Sequence, residues 1–75
     1  MKKIVFYLDP EADGRNLKRL GSITQDGIYE GDQALKKEVE QTIERRRLNL
    51  HKPDDRLMLM RVFTGVKILA TYEAE

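Results

Sequence analysis

Leu20-Gly21-Ser22-Ile23-Thr24-Gln25-Asp26-Gly27-Ile28-Tyr29-Glu30 is the stretch that decides the fold. Two short runs with β-branched and aromatic residues flank Asp26-Gly27, and a glycine there supplies the positive φ that tight hairpin turns demand. A loop of two or four residues places Ile23 and Ile28 on one face. Those two are therefore expected to be buried, with Ser22, Thr24 and Tyr29 on the other face.

Toward the N-terminus, residues 3–8 are β-branched, aromatic and aliphatic with no polar alternation. That pattern predicts a central strand covered on both faces. Pro10 ends its ladder, and the charged, Gly- and Asn-containing segment Glu11–Asn16 reads as a loop. Toward the C-terminus, Asp32 caps a predicted helix, and no Gly or Pro follows until Pro53. Its apolar stripe is Leu35, Val39, Ile43 and Leu50, with Ala34 and Leu48 beside it. Glu38, Glu40 and Glu44 precede Arg45-Arg46-Arg47, the order that the helix macrodipole prefers.

Asp54–Phe63 admits two readings. Asp54-Asp55 as an N-terminal cap, a run of Leu and Met, and Gly65 just past the end predict a short helix. The rival is a strand, Arg56–Phe63, hairpinned to Val66–Glu73 about Thr64-Gly65, where threonine is poorly suited to positive φ. The helix is the reading retained. Val66–Tyr72 is the predicted final strand, with Val66, Ile68, Ala70 and Tyr72 alternating against Lys67, Thr71 and Glu73. The expected fold class is α+β: a single small domain over residues 1–75 in the order β-β-β-α-α-β, with one antiparallel or mixed sheet and two helices on one face.

Composition sets the limits. A chain of 75 residues with 40% hydrophobic content supports one core. With 14 Lys+Arg against 13 Asp+Glu, the net charge of +1 gives no bulk attraction to polyanions. The absence of cysteine excludes disulfides, thiolate catalysis and Cys-based metal sites. Met1-Lys2-Lys3 opens like a signal peptide, but the apolar run Ile4–Leu8 stops at Asp9-Pro10, and no run approaches the ~18 apolar residues of a membrane span. A cytoplasmic protein without membrane contact is expected. Starting at its own Met1 and lacking linkers, it is expected to stand as an independent small protein.

Few residues suggest chemistry. Asp9, Glu11 and Asp13 followed by Gly14 resemble the opening of an EF-hand calcium loop, but Leu20 stands where the bidentate glutamate belongs, so a solvated acidic turn is the ordinary reading. His51 is the lone histidine, and Ser22, the lone serine, lacks the G-x-S-x-G setting of a nucleophile elbow. No glycine pattern forms a nucleotide loop. Neither enzyme activity nor a cofactor is expected.

Arg45, Arg46, Arg47, Lys52 and Arg56 form the one basic concentration. Consecutive helix residues point about 100° apart, so these arginines wrap the helix end rather than face one groove. They serve the dipole, or alternatively contact the phosphates of a nucleic acid. Leu57, Met58 and Met60 offer an adaptable partner surface, although methionine also fills cores. Apolar clusters in so small a domain lead to the expected function, a non-catalytic protein-interaction module acting as a homodimer, with nucleic-acid binding as the alternative.

Overall fold

The computed structural model describes residues 2–65 and 67–74. Its elements are β1 (Lys2–Leu8), β2 (Lys18–Thr24), β3 (Tyr29–Gly31), α1 (Gln33–Arg46), α2 (Pro53–Phe63) and β4 (Ile68–Ala74), the expected order. Val66, the predicted start of the last strand, lies outside the described residues. The strands form one antiparallel sheet in the order β3-β2-β1-β4, which makes β1 central.

The hairpin forms, but its loop has neither of the expected lengths. Thr24 N–H donates to Ile28 O, so Gln25, Asp26 and Gly27 make a three-residue loop with Gly27 at φ 85°. An odd loop inverts the facing of the returning strand. Ile23 is opposite Tyr29 and shares its buried face, while Ile28 is 61% exposed and Tyr29 only 8%. Ser22 is buried as well, on the opposite side of the sheet beside Val5. The expectation that Ile28 is core and Tyr29 outward is thus corrected by loop parity, whereas Ser22 takes the face expected of it and is nevertheless buried.

Gly27→Val should lower the unfolding free energy by about 1–2 kcal/mol from backbone strain alone, since nothing crowds a Cβ at that position. Gln25→Val should cost about 1 kcal/mol, because Gln25 Nε2 donates to Tyr72 Oη and joins the turn to β4. Urea unfolding of the two variants measures both effects.

Asp32 caps α1 as expected, its Oδ2 accepting from Leu35 N–H at 2.9 Å. The helix stops at Arg46. Arg47 adopts a left-handed cap with φ 52°, and Leu48 N–H returns to Ile43 O. Leu50 is therefore buried from the connection between the helices rather than from the helical stripe. The second helix is the retained reading, with Pro53 in its first turn, where a missing N–H costs nothing. Asp54 and Asp55 do not cap it; instead Asp55 Oδ2 accepts from Asn49 N–H at 2.8 Å and ties the connection down. Gly65 has no left-handed role either, since the helix ends on an extended Thr64.

Both helices cover the same face. Ile4, Phe6, Ile23, Tyr29 and Ala70 from the sheet meet Leu35, Val39, Leu50 and Leu59 in one cluster. Phe6 and Phe63 pack edge to face with centroids 5.5 Å apart. On the helix-free face Val5 is fully buried without a covering layer. Ser22 and Thr71 flank it in register, and Tyr7 Oη donates to Glu73 Oε2 at 2.6 Å across that face.

Candidate functional site

The basic set is spread over the end of α1, its cap, and the start and first turns of α2. Arg45 and Arg46 occupy the last turn of α1 and Arg47 its cap, all exposed, and Lys52 is exposed at the start of α2. Gln41, Glu44, Arg45 and Arg47 line an open polar cavity of about 490 Å³. Arg46 Nη1 lies 3.9 Å from Met58 Sδ and so leans toward α2. Arg56 is occupied in the fold: Nη1 donates to Leu50 O at 2.9 Å, and its guanidinium sits 4.5 Å from the centre of the Tyr72 ring. It fastens α2 to β4 and to the connection between the helices, so its basic charge serves the structure.

The expected partner surface is divided too. Met60 packs against the core, whereas Leu57 and Met58 are each 42% exposed. Val62, which residue type alone did not single out, is equally exposed. Met58 and Val62 are four residues apart and share a stripe, and the contact of Met58 with Arg46 turns that stripe toward α1.

The acidic loop is closed on itself. Asp9 is 92% buried; its Oδ2 accepts from Gly14 N–H at 3.0 Å, and Asp13 Oδ1 accepts from Arg15 N–H at 2.9 Å. Oδ1 of Asp9 has no hydrogen-bond partner among the described residues. Glu11 is exposed, and among the described residues no three acidic, His or Cys side chains converge to hold a metal. The carboxylates of Asp9 and Asp13 thus organise the turn.

His51 Nε2 and Asp26 Oδ1 pair at 3.1 Å, joining the hairpin turn to the connection between the helices beside an open groove of about 330 Å³. Both side chains are more than half exposed, and Ser22, the lone serine, is buried on the helix-free face, apart from the pair. Burial raises the Tyr29 phenol above its ordinary pKa, with Asp32 adding to the shift, so the hydroxyl stays protonated in the core.

The remaining feature is the edge of β4. Backbone groups of successive strand residues point to opposite sides. Lys67 O accepts from Asp9 N–H on the β1 side, while Ile68 O accepts from Gly65 N–H and Ala70 N–H donates to Thr64 Oγ1 at 3.2 Å. Ile68, Ala70, Tyr72 and Ala74 therefore turn their backbone groups away from β1. The α2–β4 connection satisfies the first part of this edge. From the Ala70 carbonyl through Ala74 no strand lies alongside among the described residues. Residues 70–74 contain neither proline nor lysine, the usual protection of a natural edge, and the nearby Lys2 ammonium lies over the Tyr72 ring, 5.3 Å from its centre. By contrast β3, the other edge, is three residues long and leads directly into α1.

Among the described residues no helix is long and apolar enough to cross a membrane. Comparison with protein-family models, curated proteins and solved structures returns no match to this chain.

Proposed function

We propose that this protein is a non-catalytic interaction module that associates with a second copy of itself. The observation that carries the reading is the half-guarded edge of β4. Thr64 and Gly65 cover its beginning, and its end, around Tyr72 and Ala74, presents donors and acceptors that have no partner among the described residues. Exposed Leu57, Met58 and Val62 on α2 are further apolar surface that a second copy could cover. The dispersed candidates for chemistry support the non-catalytic half, since Ser22 is buried on the helix-free face, apart from His51 and Asp26, and the acidic loop binds its own amides.

Sedimentation equilibrium from micromolar to near-millimolar concentration should show a mass rising from 8.8 kDa toward about twice that value. A constant 8.8 kDa over the whole range rejects the reading. The second reading, nucleic-acid binding, draws support from exposed Arg45, Arg47 and Lys52 but no longer from Arg56. Retardation of mixed oligonucleotides at low salt, lost in Arg45→Ala/Arg47→Ala, would favour it over self-association.

A further inference from the structure

We infer that two copies join by antiparallel pairing of β4 with β4, on a two-fold axis through Tyr72, to make one continuous sheet. This inference rests on the self-association proposed above and names its geometry. Among the described residues from Ala70 onward, the free outward groups are Ala70 C=O, both backbone groups of Tyr72, and those of Ala74, because Thr64 already holds Ala70 N–H. Three axes bring these groups together.

An axis at Tyr72 pairs Tyr72 N–H with the second copy's Tyr72 C=O, and Ala74 N–H with its Ala70 C=O, each reciprocally. It also sets Thr71 opposite Glu73, a hydroxyl against a carboxylate, on the helix-free face. An axis at Thr71 joins only Tyr72 N–H to Ala70 C=O, since the reciprocal donor, Ala70 N–H, is taken. An axis at Glu73 puts two carboxylates directly opposite in the closest type of antiparallel pair, where like charges repel. The Tyr72 axis alone uses the free groups without that opposition. Thr64 Oγ1 holds Ala70 N–H, opposite the second copy's Ala74, so it also ends the new ladder. This match of the strand to itself is what selects a second copy as the occupant. So short a ladder falls below the roughly 800 Å² per partner of a standard interface, so an affinity on the order of micromolar is expected.

The chain has no cysteine, so a nitroxide on Ala74→Cys is a unique label, placed on an exposed and small residue. With a rise of about 3.4 Å per residue and strands about 4.8 Å apart, the Tyr72 axis separates the two labelled Cα atoms by about 14 Å. The same arithmetic gives about 8 Å for an axis at Glu73 and about 21 Å for one at Thr71. Ala74→Pro is the second variant. It deletes an N–H that faces away from β1, leaves the β1–β4 ladder whole, and should weaken dimerisation at least tenfold with an unchanged urea midpoint at low concentration.

Spin-label distances matching the 14 Å spacing, together with loss of dimer in Ala74→Pro, are the results expected. A dimer by mass whose labels lie beyond about 35 Å, and which Ala74→Pro leaves intact, overturns the β4 pairing while self-association stands. Spacings that fit 8 or 21 Å overturn the Tyr72 axis. A monomer at every concentration removes the self-association reading and this inference with it.

Discussion

Gly21→Val should be among the most destabilising substitutions in the chain. A Cβ at Gly21 would stand 2.7 Å from the Glu30 carbonyl oxygen and overlap the Tyr29 phenol. The carbonyl belongs to the β2–β3 pairing, in which Gly21 lies opposite Gly31, so it cannot retreat without breaking the ladder. The phenol is buried over the strand and has no second place to go. A valine there has to expel Tyr29 or open the hairpin. Either outcome removes one of the nine buried hydrophobic residues that form the shared cluster, at about 3–5 kcal/mol. A 75-residue domain has a total of only about 4–11 kcal/mol. Far-UV circular dichroism during urea titration should show a midpoint lowered by about a quarter or more, or no cooperative transition where the total lies at the low end of that range. A loss below about 1 kcal/mol would mean that Tyr29 does not lie across Gly21.

Phe6→Ala carries the next largest effect, about 3–5 kcal/mol. Phe6 is wholly buried at the middle of β1, the central strand, and its ring receives Phe63 from the end of α2. Its removal leaves a cavity between the sheet and the helix that covers β4, and Phe63 loses its edge-to-face partner. Phe6→Leu retains most of the volume and should cost about 1–1.5 kcal/mol. Chemical unfolding separates the two variants. Equal losses would show that ring packing contributes little and that apolar volume alone holds α2 on the sheet.

Much of the fold was readable from local chemistry. The alternation and β-branching of the strands, Asp32 before an uninterrupted helical run, and Asp26-Gly27 between two strands each acted where they stand in the chain. What escaped depended on counts or on distant partners. Asp26-Gly27 serves a three-residue loop as well as the even ones, and one residue of loop length decides whether Ile28 or Tyr29 enters the core. Arg47 ends α1 in a left-handed conformation although it is not glycine, and the residue type gives no notice of this. The neighbour of β4 is β1, joined across nearly the whole chain, a pairing that periodicity does not encode.

The candidate site was less readable for the same reason. Arg56 looks like its basic neighbours until Tyr72 and the Leu50 carbonyl are seen beside it. The open half of β4 is defined by where Thr64 and Gly65 reach back, a relation invisible in the alternation of Ile68, Ala70 and Tyr72.

Amide hydrogen exchange along β4 tests the central claim, self-association through this edge, most directly. Thr71 and Glu73 turn their N–H groups toward β1 and should be protected at every concentration. Tyr72 and Ala74 turn theirs outward and should exchange freely in dilute solution. The account predicts that protection at Tyr72 and Ala74 rises with protein concentration in step with the dimer fraction, while Thr71 and Glu73 stay as they were. Exchange at Tyr72 and Ala74 that remains fast and independent of concentration, even where the mass is that of a dimer, would contradict it.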